Sequence, residues 1–302
     1  MIERSELGAF LQAQRARLRP ADVGLAPDQV PRRVPGLRRE EVARLAGLST
    51  DYYTRLEQGR KDSPSEGVLN AIARALHLDE IGRQHLLDLA RPVGSVTAPR
   101  TPPAQRVRAS TRQLMESWAD QPALLLGRRL DVLATNALGR ALLFDFGTLP
   151  PAERNYLRWL MLHPHARVLY RDWESVASEM VAALRREAGR HPDDPSIIDL
   201  VGELVVRSEE FAGWWADQRV TAHTHGVKRF HHELVGDLEL DWQGLALPGD
   251  EDQTIYVYHA PPGSPAAEKL GLLGSWIGSA PAAAGRNPET ATGAESAVDE
   301  PA

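Results

Sequence analysis

The stretch "EEVARLAGLSTDYYTRLEQGR", Glu40 to Arg60, carries two short helical patterns separated at Gly47. This hinge narrows the possible folds more than any other feature of the chain. A glycine just past the last periodic residue can take the left-handed conformation that ends a helix. Ser49 can cap the next helix, which runs to about Gln58 and ends at Gly59. Two helices joined by a three- or four-residue turn containing glycine form a helix-turn-helix unit, whose second helix offers its N-terminal residues to base edges in the major groove. Tyr53 and Leu56 fall at the spacing of a buried face. Thr50, Asp51, Tyr52, Thr54 and Arg55 are left outside, and with the cap Ser49 they form the candidate base-reading set. Arg55 has the fork that can pair with guanine. A plain antiparallel helix pair is the bland reading of the same hinge.

The surroundings favour the first reading. Ser5 to Leu18 places Leu7, Phe10, Leu11 and Leu18 along one face. An insert with four prolines follows, "RPADVGLAPDQVPRRVPG", which forbids a long helix. Arg38 to Ala46 reads as a helix with Val42, Leu45 and Ala46 inward. Ser65 can cap a helix over 66–76, and another spans 79–90. Between Arg15 and Lys61 the chain has 11 basic and 6 acidic residues, although its overall net charge is −6. A local basic field governs contact with nucleic acid more than the total does. Arg32, Arg33, Arg38 and Arg39 are the candidate phosphate contacts.

Those residues resemble a known family. "EEVARLAGLS", "YYTRLEQGR" and "PSEGVLNAIARALHL" are similar to the lambda-repressor-like helix-turn-helix domains of the XRE family. The arginine-rich segment before "PGLRREEVA" and the "YYTRLEQGR" ending resemble a narrower group, the MmyB-like regulators of actinobacteria. The resemblance covers residues 5–90. It implies a sequence-specific regulator of transcription that binds double-stranded DNA. A homodimer is the expected state, and palindromic sites follow if two copies bind symmetrically.

"RPVGSVTAPRTPPAQ", Arg91 to Gln105, has four prolines and small polar residues and reads as a linker. The expected layout is an all-α domain over 1–91, a linker over 92–105, an α+β domain over 106–276 and a disordered tail over 277–302, where large apolar residues are almost lacking. Strands are expected near 123–127 and 130–134, then helices near 151–163, 170–190, 195–208 and 209–218. "VKRFHHELV", "LELDWQGLAL" and "TIYVYHAP" alternate as strands of an antiparallel sheet with one face covered.

"DVLATNALGRALL" is similar to the strand-to-helix passage of PAS-like sensors, and the stretch from His231 to Leu273 is similar to the end of the MmyB-like ligand-binding domain. That resemblance implies helices packed over a sheet around an apolar cavity, and a small lipophilic ligand such as a fatty acid. The candidate lining is Leu124, Leu126, Trp159, Trp215 and Tyr256, since aromatic and apolar side chains dominate such sites. A large aromatic on a helical face is more often plain core than pocket, and that is the alternative for Trp159 and Trp215. Asn136 reads as a helix cap or as a ligand contact. Arg229, His231 and His232 are candidates for a carboxylate head group, with surface placement as the alternative.

Composition excludes several chemistries. There is no cysteine, so disulfides, thiolate metal sites and cysteine nucleophiles are out. His163, His165, His223, His225, His231 and His232 supply imidazoles, but no His-Glu-x-x-His pattern or completing acid makes a metal site. No nucleophile elbow, phosphate loop or paired acid motif points to catalysis, and no cofactor is expected. No apolar run reaches the roughly 18–20 residues of a membrane span, and the opening residues do not read as a secretory signal. The expectation is a cytoplasmic, non-enzymatic regulator. The alternative is a ligand-carrier or interaction module whose helix-turn-helix serves for assembly.

Overall fold

The computed structural model describes residues 6–25, 36–60, 64–91, 105–220 and 224–279. Arg32 and Arg33, most of the linker and residues 280–302 of the tail lie outside them.

The N-terminal domain consists of α1 (Glu6–Arg17), α2 (Arg39–Leu45), α3 (Thr50–Glu57), α4 (Glu66–Ala75) and α5 (Glu80–Leu89). Local chemistry sets their starts. Ser49, Ser65 and Asp79 accept hydrogen bonds from the backbone N–H groups of Tyr52, Val68 and Gly82, which satisfies donors the helix itself leaves open. α2 stops where Gly47 turns left-handed at φ +69°. Gly47 and Leu48 donate to the carbonyls of Arg44 and Ala43 at 3.2 and 2.8 Å, a Schellman ending. Phe10, Leu11, Leu37, Val42, Tyr53, Leu56, Ile72 and Leu86 form a fully buried core. Leu45, expected inward, is 38% exposed. The packed sector of α2 is Glu41–Ala43 instead, because α3 and α4 both close on that side.

The C-terminal domain begins with α6 (Ala109–Ser117), β1 (Ala123–Leu126), β2 (Val132–Thr135) and α7 (Ala137–Leu142). It continues through α8 (Tyr156–Leu162), α9 (Pro164–Leu169), α10 (Trp173–Arg190), α11 (Pro195–Arg207) and α12 (Glu209–Ala216). It closes with β3 (His225–His232), β4 (Gly236–Leu247), β5 (Asp250–His259) and α13 (Pro265–Ser279). The strands make one antiparallel sheet in the order β2-β1-β5-β4-β3. Alternation along each strand decides what each face carries. Leu124, Phe230, Leu238, Leu240, Trp242 and Tyr258 meet α7–α12 in the main core. On the opposite face Ala123, Leu125 and Ile255 pack against Met115 of α6. The sheet is therefore partly covered on its second face too, by a helix the sequence pattern did not single out. α13 was equally unforeseen. It buries Leu270 and Leu273 and runs to Ser279, past the expected domain end. Among the described residues no helix is long and apolar enough to cross a membrane.

The domains touch through α1 and α5 on one side and α10 and α12 on the other. Gln14 Nε2 donates to the Gln218 carbonyl at 3.1 Å, and Arg17 donates to the Asp217 carbonyl. Val220 packs into the N-terminal core. Gly189 of α10 allows close approach, since a Cβ there would lie 2.5 Å from His85 Cε1.

Candidate DNA interface and ligand site

The helix-turn-helix surface depends on how α3 is held. Tyr53 and Leu56 are fully buried, and Leu56 alone accounts for about 1.5–3 kcal/mol of apolar burial. Glu57, next in the helix, is also buried, at 5% exposure. An acid there must be paired, because an isolated buried charge is too costly. Arg15 of α1 provides the partner, with Nε to Oε2 at 3.0 Å and Nη2 to Oε1 at 2.9 Å. Arg39 adds a second cation, with Nε to Oε1 at 3.0 Å. Burial opposes the Arg15 charge, but the Glu57 hydrogen bond and charge outweigh it and raise its pKa. Burial, helped by the Glu57 carboxylate, raises the Tyr53 phenol, which stays neutral.

With its inner face fixed, α3 turns Thr50, Asp51 and Arg55 to solvent, with Tyr52 and Thr54 half-buried at the margin. Arg55 pairs with Asp51 one turn earlier. Ser49 is exposed, and its hydroxyl is engaged in the cap. Arg38 begins α2, with Nη1 3.6 Å from Glu40. Arg39, read from sequence as a phosphate contact, has the structural task of neutralising Glu57 while remaining partly exposed. Arg15 and Glu57 were missed altogether, because an acid near a helix end and an arginine on a basic helix both read as surface.

The candidate ligand residues do not form one site. Leu124 and Tyr256 are register partners on β1 and β5. They line a space with Tyr156, Val176, Met180, Lys228, Trp242 and Tyr258. That space measures about 10 Å³, room for a single water. Leu126 and Trp159 lie in the main core beside it. The Trp159 ring stacks on Tyr156 at 5.7 Å, and its indole N–H is buried without a partner. Trp215 instead faces the interdomain seam, where the Arg185 guanidinium lies 3.9 Å over its ring.

Asn136 caps α7 and ties it to the start of β1. Its Oδ1 accepts from Ala123 and Gly139, and its Nδ2 donates to Gln121 O at 2.8 Å. Arg229 and His231 project from the exposed face of β3, where they pair with Asp172 and Asp237. Strand alternation puts them opposite the core-facing Phe230. The cation on the core side is Lys228, 2.5 Å from Glu179 and 5.2 Å from the Trp242 ring centre. Phe230 shares its parity, so the alternation itself carried that signal. His232 also points inward, and its Nε2 lies 2.9 Å from the Ala141 carbonyl. Nearby, the Tyr156 and Tyr170 hydroxyls are 2.6 Å apart, and burial raises both phenols well above their ordinary range.

The histidines singled out in the sequence are dispersed, and His223 lies outside the described residues. His163 and His165 have ring centres 6.3 Å apart. Glu187, His191 and Asp252 gather their ligand atoms within 4.8 Å, but Arg186 and Arg190 approach Glu187 and Arg128 holds Asp252.

Comparison with known families matches this division. Residues 6–86 match a helix-turn-helix domain, and residues 107–273 match the MmyB-like transcription regulator ligand binding domain. No curated protein matches the chain. The second match spans more than half of the sequence, and the chain belongs to the MmyB-like transcription regulators, with a DNA-binding helix-turn-helix domain followed by a ligand-binding domain.

Proposed function

We propose that this protein binds specific DNA sites as a cytoplasmic homodimer, and that its C-terminal domain, read as PAS-like, adjusts that binding when it takes up a small lipophilic ligand such as a fatty acid. The observation that carries the DNA reading is the division of α3: Tyr53, Leu56 and Glu57 are locked inward, and Thr50, Asp51 and Arg55 are left exposed. In this reading α3 enters the major groove and Arg55 leaves Asp51 for a base edge, while Arg38 with Arg32 and Arg33 contacts phosphates. Arg39 divides its charge between Glu57 and the duplex. No catalytic step is part of the reading.

The proposed ligand site is the space between the sheet and α10. Leu124, Met180, Trp242 and Tyr256 supply apolar wall, and the ligand carboxylate would displace Glu179 from Lys228. With only about 10 Å³ there now, an acyl chain enters only if α10 moves away from the sheet. α10 also touches the DNA-binding domain through Gly189 and Arg185. Movement of α10 is thus a physical route from ligand to DNA, provided the ligand binds one arrangement better than the other. Mass spectrometry of a denaturing extract of the purified protein tests the ligand half. An acyl carboxylate at near-stoichiometric amount supports it. An empty protein whose DNA affinity ignores acyl acids of every chain length contradicts it.

A further inference from the structure

Between the two domains lies a cavity of about 430 Å³, walled by Leu7, His85 and Leu89 from the N-terminal domain and by Arg185, Ile198 and Trp215 from the C-terminal one. This is the size of a small-molecule site, for which about 300–1,000 Å³ is usual. The sheet-side space holds about one water. Much of the wall is aliphatic or aromatic, and three of its polar atoms, Arg185 Nε, His85 Nδ1 and His191 Nε2, are buried without a hydrogen-bond partner.

Arg185 is the unusual member. Its side chain is only 2% exposed. Its two terminal nitrogens are spent on neutral acceptors, Gln218 Oε1 at 2.6 Å and the Trp215 carbonyl. Glu6 approaches only to 3.9 Å, from a position 67% exposed to water. Asp88 also lies on the wall, but Gln84 and Arg91 hold its carboxylate. A charge taken out of water needs a matched counter-ion, and here the protein supplies a distant one. The Arg185 Nε–H is buried beside this cavity with no acceptor from the protein, and an arginine N–H is well suited to a carboxylate.

The geometry points to a ligand site at this seam for a small carboxylic acid with an apolar body. The carboxylate accepts from Arg185 Nε, and the body lies against Leu7, Leu89, Ile198 and Val201. The site is separate from the space around Lys228 and stands or falls without it. Its walls come from both domains, so the ligand recognises only the packed arrangement and holds α1 and α5 against α10 and α12.

The test is calorimetric titration of the delipidated full chain with two acids, dodecanoate and 2-naphthoate, and with dodecanol as the uncharged counterpart. At least one acid should bind. Arg185→Gln should weaken that acid at least tenfold and change dodecanol less than twofold. Ile198→Glu alters an exposed residue of α11 and puts a negative charge on the wall; it should also weaken the acid at least tenfold. Should Arg185→Gln fail to fold by circular dichroism, Ile198→Glu decides alone. Bound acid should also slow amide exchange in both α5 and α10. Four results overturn the site: neither acid binds, a folded Arg185→Gln binds the acid as tightly as the parent, binding survives Ile198→Glu, or exchange slows in one domain only. Binding that survives Ile198→Glu and is lost in Lys228→Met overturns the seam site while supporting the sheet-side one.

Discussion

Arg15 and Glu57, 42 residues apart, join α1 to α3 through a two-pronged ion pair with hydrogen bonds of 2.9 and 3.0 Å. The pair fixes the inner side of α3, the helix proposed to read DNA. Removing Arg15 leaves the Glu57 carboxylate buried with Arg39 alone. Arg15→Met should cost about 3 kcal/mol, read by urea denaturation. Arg15→Met combined with Glu57→Leu should recover much of that loss, because no buried charge is then stranded. A single variant as stable as the parent would show that the pair contributes nothing.

On the outer side of α3, Arg55→Ala should cost roughly 1–3 kcal/mol on a specific site and relax base preference there. Arg38→Ala should weaken binding to all sequences and lower the salt slope by about 1. Asp51→Asn frees Arg55 and removes a negative charge near phosphate, so binding to random duplex should tighten at low salt. Fluorescence anisotropy on specific and random duplexes separates these effects. Equal losses on both duplexes for Arg55→Ala would remove it from base reading.

The seam should be sensitive to acid. His85 is 2% exposed and packs edge-on against Phe10 at 5.0 Å. Burial, then the charges of Arg185 and Arg186, lower its pKa from 6.5 to about 4. The packed state therefore holds His85 neutral, while an unpacked or unfolded His85 takes up a proton below pH 6.5. Its contribution is complete above that pH and is lost as pH falls from 6.5 to about 4. At about 1.4 kcal/mol per pH unit, the gap is worth roughly 3 kcal/mol. His85→Phe should flatten the pH dependence of stability in that window; an unchanged profile would exclude His85 as its source.

Gly189→Leu should separate the domains without unfolding either one. Even a Cβ at 189 would meet His85 at 2.5 Å, and the face of α10 toward the main core does not depend on that glycine. Small-angle scattering should show a more extended particle with unchanged helix content. A particle of the parent's dimensions would mean that the seam absorbs the side chain.

What the sequence made legible follows from range. Ser49, Ser65 and Gly47 act within one turn of their own helices, so their roles could be read directly. Leu45 could not, because its apolar spacing fits either side of a seven-residue helix and packing by α3 and α4 chose the other. Lys228 was legible in principle, through the alternation that buries Phe230, but charge drew attention to Arg229 and His231. The Arg15–Glu57 pair and the seam at His85, Arg185 and Gly189 join residues 42 and about 100 apart. No local pattern encodes such contacts.

Titration of the full chain against two duplexes of equal length tests the regulator reading most directly. One carries a site selected from genomic fragments the protein retains, and the other the same bases scrambled. The selected site should hold two related half-sites about one helical turn apart, as a symmetric dimer requires. It should bind at least about 10³-fold tighter than the scrambled duplex at physiological salt, and an acid that binds the C-terminal domain should shift that ratio. Equal affinity for the two duplexes, with or without the acid, would contradict it.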